Sequence, residues 1–261
     1  MILTYDISDV KPYINWAYFY FAWQLKGEEQ QKQIRQEAEA FLEKIEGRYR
    51  THAVFEILPA YSKEDDIVVE HQGEPFVLPL LRQQHGSPCL CLSDFVHPKQ
   101  DRIGLFATST DIGMETDFDA DPYAKMMAQL LADRLAEATA ERMHQEVRTQ
   151  YWGYAPDEQL SMDDLFLERF EGIRPAVGYP SLPDASFNFL LDELLDMKRI
   201  GIRLTENGAM RPHASVSGLM IAHPKARYFA VGKIGEDQLK DYALRRGIPL
   251  ELMRKFLAAN R

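Results

Sequence analysis

Apolar positions recur at different spacings along the chain, and the changes of spacing mark its elements. Ile34, Ala38, Phe41 and Ile45 stand at i, i+4, i+7 and i+11, the inner face of a helix that Gly47 is placed to end. Just upstream, YINWAYFYFAWQL (Tyr13 to Leu25) is apolar almost throughout but interrupted by Asn15 and Gln24. It is too short to span a bilayer and is expected to pack under a sheet. AVFEIL (Ala53 to Leu58), IVVE (Ile67 to Glu70) and FVLPLL (Phe76 to Leu81) then read as short strands separated by the turn-forming SKEDD and HQGEP, an antiparallel meander. IGLFATST (Ile103 to Thr110) alternates less cleanly, which predicts a strand buried on both faces.

Helical spacing returns after DIGMETDFDADP. Asp117, Asp119 and Asp121 open like a calcium-binding loop, but Pro122 replaces the glycine at its sixth position and Ala128 the glutamate at its twelfth, so that reading fails. Asp121 and Pro122 instead read as N-cap and first residue of a helix running to about Gln150, roughly 40 Å long at 1.5 Å per residue. Met127, Leu131, Leu135 and Ala138 form its apolar stripe, with Glu137 at the edge. A second helix follows the capping box of Ser161 and Asp164 and is expected to carry Leu165, Phe166 and Glu168; Asp184 is expected to cap a third, with Leu190, Leu191, Leu194 and Leu195 inward. IRLTE, SVSGLMIAH and RYFAVGKI predict strands, and EDQLKDYALRRG and PLELMRKFLAAN two closing helices. Strands and helices are segregated without βαβ alternation. The expected fold is α+β, mainly antiparallel sheet with flanking helices, as one domain over residues 1–261.

Composition narrows the function. With 40 acidic against 30 basic residues and a net charge of -10, the chain lacks the basic surplus that sequence-independent nucleic-acid binding needs. The N-terminus MILTYDISDV has neither a basic nor an apolar leader region, so no membrane association and a cytoplasmic location are expected. The two cysteines, Cys89 and Cys91, lack zinc-site spacing and read as reduced thiols sharing one strand face.

Signatures of serine hydrolases, zincins, P-loops and dinucleotide folds are absent from the sequence. The unusual stretch is GIRPAVGYPSLPD, Gly172 to Asp184, with three prolines around Arg174 and Gly178. Arg174 precedes Pro175, so its backbone is biased to extended geometry and its guanidinium is a fork for a carboxylate. Gly178 allows close approach to the main chain. Composition alone favours a salt bridge from Arg174 to Glu168 or Asp184, leaves Glu137 and Glu168 as solvated carboxylates, and leaves Tyr228 and Phe229 as strand packing.

The order of the segments adds more. GIRPAVGYPSLPD, LTENGAMRPHASVSG and HPKARYFAVGKIGEDQLKDYALRRG, preceded by PYINW, LADRLAEATAE and YWGYAPDEQLS, closely resemble the C-terminal reactivation domain of cobalamin-dependent methionine synthase. The resemblance implies S-adenosylmethionine binding, with Arg174 on the methionyl carboxylate and the backbone of Ala176, Gly178 and Tyr179 along the ligand. Tyr228 and Phe229 would be the aromatic pair of a neighbouring strand, and Glu137 and Glu168 the nearby acids. Asn15 stands where the family usually has aspartate, which exchanges charge attraction to the ligand's ammonium for a hydrogen bond alone. The implied role is to present a methyl group to oxidised cobalamin held by a separate methionine synthase chain, with an electron from a flavodoxin-type reductant. No residue of this chain would act as general acid or base, and turnover alone is not expected. A cobalamin-ligating D-x-H-x-x-G segment is absent, which suggests a module working in trans. The alternative is an adenosylmethionine-sensing or protein-interaction module of the same fold.

Overall fold

A computed structural model describes residues 1–260. The chain opens with strand β1 (Ile2–Asp6), one helical turn α1 (Ile7–Val10), and helices α2 (Trp16–Ala22) and α3 (Glu28–Ile45). Strands β2 (Arg50–Lys63), β3 (Asp66–His71), β4 (Glu74–Pro79) and β5 (Asp101–Thr110) follow. Next come the turn α4 (Gly113–Thr116) and the long helix α5 (Pro122–Glu146), continued by a π-helical turn over Val147–Tyr151. Short helices α6 (Met162–Phe166) and α7 (Phe187–Leu195) precede the two-residue strands β6 (Arg203–Leu204) and β7 (Met210–Arg211). Strand β8 (Ser215–Met220) and helices α8 (Glu236–Arg246) and α9 (Leu250–Phe256) complete the chain.

The main sheet is antiparallel, in the order β4-β3-β2-β5-β8. Strand β1 shares one edge of the long β2 with β3: Ile2 lies opposite Val54, and Ala60 opposite Val69. Pro59, which has no N–H to give, falls in the gap between those two pairings. Side chains of β5 alternate between two covered faces. Phe106, opposite Phe55, joins α2, α3 and α5 in one core, whereas Leu105 and Ala107 join α7 in the other. This is why β5 shows an unbroken apolar run. Burying a side chain such as Phe106 contributes about 1.5–3 kcal/mol, and every residue from Ile103 to Thr110 is buried.

Several local expectations hold for identifiable reasons. Asp121 accepts hydrogen bonds from the Tyr123 and Ala124 N–H groups at 3.0 and 3.1 Å, capping α5, and Pro122 follows it. Asp117 instead meets Tyr49 and Arg48, both at 2.9 Å, and Asp119 pairs with Lys125 at 2.7 Å. Gly47 takes φ +74° just past α3, the left-handed stop that glycine tolerates.

Others are corrected. The aromatic run forms α2, which packs on α5; it is α5 that covers the sheet. Segment IRLTE forms only the pair Arg203–Leu204, because Thr205 accepts from Gly208 and donates to Ala209 in a turn. Segment RYFAVGKI is not a strand: its neighbour is the proline-rich loop, where Val231 N–H reaches Pro180 O at 2.9 Å but prolines have no N–H to return. Cys89 and Cys91 are free thiols on irregular backbone, not a strand, with Cys91 buried. Strand β1 was not foreseen. Helix α6 ends at Phe166, and Glu168 beyond it has φ +54°. Asp184 does not cap α7, which begins at Phe187. It is a buried hub that accepts from Tyr242 Oη at 2.9 Å and Arg246 at 2.6 Å, fastening the loop to α8. Among the described residues, no helix is long and apolar enough to cross a membrane.

Candidate functional site

The free edge of β8 is where GIRPAVGYPSLPD comes to rest. Ile173 and Ile221 exchange N–H···O bonds of 2.9 Å, Leu219 N–H donates to Pro175 O at 3.0 Å, and Val177 N–H donates to Ser217 O at 2.8 Å. Residues 173–177 therefore lie along β8 as an added antiparallel rung, interrupted where Pro175 has no N–H. Two glycines allow this approach. A Cβ on Gly218 would come within 2.2 Å of Pro175 O, and one on Gly172, at φ +81°, within 2.4 Å of Ile221 O.

In this register Ile173, Pro175 and Val177 bond towards β8, so Arg174 and Ala176 present their N–H groups outward. The Arg174 N–H donates to Tyr228 Oη at 2.9 Å. The Ala176 N–H has no protein acceptor among the described residues. The turn then closes at Gly178, φ +87°, whose N–H donates to Leu182 O at 2.8 Å, leaving Tyr179 exposed with its hydroxyl donating to Glu137 at 2.9 Å. Segment 228–231 is bound alongside: Ser181 Oγ donates to Phe229 O and accepts from Phe229 N–H at 3.1 Å.

The Arg174 side chain is only 7% exposed; it lies over the Phe106 ring, 5.6 Å from its centroid, and ion-pairs through Nη2 with Glu141. Burial opposes its charge, but Glu141, Tyr228, Glu137 and Glu168 together hold it above its ordinary value. Two polar atoms at this pair are buried without a partner, Arg174 Nε and Glu141 Oε2. Desolvation, then repulsion from Glu141, raises the Glu168 carboxyl, against the pull of Arg174. Burial of its hydroxyl pushes Tyr228 up to about 12, and burial with Glu137 nearby does the same to Tyr179.

Behind the site, α5 carries Glu137, Glu141 and His144 at successive turns of one face, and Arg148 follows in the π-helical turn. Arg148 forms a two-pronged pair with Glu158, both contacts 2.7 Å, donates to His144 Nδ1 at 2.9 Å, and stacks 4.2 Å from the Phe170 centroid. Burial, Arg148 and Arg174 keep His144 well below the imidazole range.

The structure thus brings Arg174, Ala176, Gly178, Tyr179, Tyr228, Glu137 and Glu168 together where the loop meets α5. It does not join Asn15 to them by any contact: Asn15 caps α2, accepting from Ala17 N–H at 3.2 Å. Phe229 approaches through its backbone, while its ring packs against Phe95 in the other core half. Arg174 pairs with neither Glu168 nor Asp184. Its partner, Glu141, was missed, although its place one turn after Glu137 on the same helix face was a signal available in the sequence.

Residues 6–247 match the family model described as vitamin B12 dependent methionine synthase, activation domain. The chain belongs to that family. A solved structure agrees: the crystal structure of the MetH reactivation domain bound to AdoHcy superposes with a TM-score of 0.93 at 36% identity, covering 100% of this chain and 90% of that one. In this activation domain the Arg174 site lies at the junction of the β8 edge, α5 and segment 228–231, three parts distant in sequence.

Proposed function

We propose that this activation domain binds S-adenosylmethionine at the Arg174 site and presents its methyl group for reductive remethylation of cobalamin held by a methionine synthase chain. The observation that carries the reading is Arg174 itself: a buried guanidinium with Nε lacking an acceptor, surrounded by carboxylates, in a chain of this family. A ligand carboxylate supplies the missing acceptor, and Ala176 N–H is a second donor on the same outward edge. Glu137 and Glu168 offer negative charge to an ammonium and a sulfonium. Tyr179 and Tyr228 stand beside Glu137 and Arg174, and the absent side chain at Gly178 leaves its backbone open to the ligand. In this reading Phe229 supports the wall through Ser181, and Asn15 acts at a distance as the cap of α2. The neighbouring structure's ligand, AdoHcy, is the demethylated form of the proposed donor.

Methyl transfer to reduced cobalamin needs no general acid or base here. The domain's contribution is to hold the donor so that transfer becomes effectively intramolecular. An electron from a flavodoxin-type reductant completes the scheme. The test is restoration of activity to an oxidised cobalamin-dependent methionine synthase lacking its own activation domain, supplied with flavodoxin and S-adenosylmethionine. Recovery that depends on this chain and is lost with Arg174→Ala is expected; binding of the ligand without any recovery favours a sensing module instead.

A further inference from the structure

Glu141 stands in the wrong place to be a bystander. Its carboxylate meets Arg174 through one oxygen and one nitrogen only, leaving Glu141 Oε2 and Arg174 Nε buried and unpartnered. A fork-to-fork pair would satisfy all four atoms, so the contact is a partial one. No other hydrogen bond anchors the Glu141 side chain among the described residues, and at 21% exposure it has a path to water. Arg174, by contrast, is held in place: its N–H by Tyr228, its flanking residues Ile173 and Pro175 by β8, its guanidinium against Phe106. Three carboxylates, Glu137, Glu141 and Glu168, share this single buried cation.

We propose that Glu141 is a specificity-determining residue that occupies Arg174 in place of the ligand's carboxylate and competes with it, so that its charge sets the affinity for carboxylate-bearing ligands. The inference rests on the reading of the Arg174 surroundings as an adenosylmethionine site. An arriving carboxylate takes up Arg174 against the repulsion of Glu141, and Glu141 turns outward. Removing its charge while keeping its shape removes the competitor.

The experiment is calorimetric titration of the wild type, Glu141→Gln and Glu141→Ala with S-adenosylmethionine and with its decarboxylated analogue. The analogue keeps the sulfonium and lacks the carboxylate. Glu141→Gln should bind S-adenosylmethionine about tenfold more tightly than the wild type and leave the analogue's affinity unchanged. Glu141→Ala should likewise tighten S-adenosylmethionine binding and leave the analogue's affinity unchanged, with circular dichroism confirming its fold. Weaker or unchanged S-adenosylmethionine binding by Glu141→Gln, or an equal gain for both ligands, overturns the competition. Absence of binding in wild type and both variants sinks the adenosylmethionine reading itself, an outcome distinct from the others.

Discussion

Arg174 is a cation in a place where a cation is costly, and the residues around it show how that cost is offset. Its main-chain N–H is held by Tyr228 Oη, so Tyr228→Phe removes the acceptor from a buried donor. That loss should cost about 1–3 kcal/mol and weaken S-adenosylmethionine binding, measured as a lower melting temperature and a higher Kd. His144 gives a pH signature. Buried and neutral against Arg148, its folded value lies well below the ordinary 6.5, so the unfolded chain binds the proton more readily. Stability is then fully present above about pH 6.5 and falls as the solution is acidified below it. Thermal melting across pH 5–8 should show that slope, and a His144→Gln variant should flatten it. At this scale Arg174 and its loop were legible in the sequence because proline and glycine constrain the backbone locally. Glu141 and the Asp184 hub were not, since their partners, Arg174 and Arg246, lie 33 and 62 residues away.

Elements with strong local signals came through in the sequence: α3 and α5 from their apolar spacing and caps, β5 from its unbroken apolar run. The β2–β4 meander and β8 came through as well, whereas elements decided by their neighbours rather than by their own pattern did not. Strand β1 is short and half-exposed, yet it completes the edge of β2. Segment 227–234 has strand-like composition but lies beside prolines, which leave it an extended wall. The loop itself acts as an extra rung on β8, which depends on Gly218 having no side chain. Gly218→Ala should push the 173–177 segment off the edge, lowering the melting temperature and abolishing ligand binding together. A melting temperature and Kd equal to the wild type would show that the loop's seat is not tight.

Across the whole molecule, the candidate site exists because distant stretches converge on the edge of one sheet. Helix α5 spans one face and brings its carboxylates to the loop, while Asp184, Tyr242 and Arg246 fix the loop's far end to the C-terminal helices. The net charge of -10 suits a ligand that carries positive charge, and around Arg174 carboxylates outnumber the guanidinium. The fold is shared with a reactivation domain along the entire chain, so the scaffold leaves the ligand as the deciding question. Titration of S-adenosylmethionine into the purified protein answers it most directly. Saturable one-to-one binding, weakened about 10- to 100-fold in Arg174→Ala, is the predicted result. No heat of binding at millimolar ligand, or the same affinity in the variant, would contradict the account.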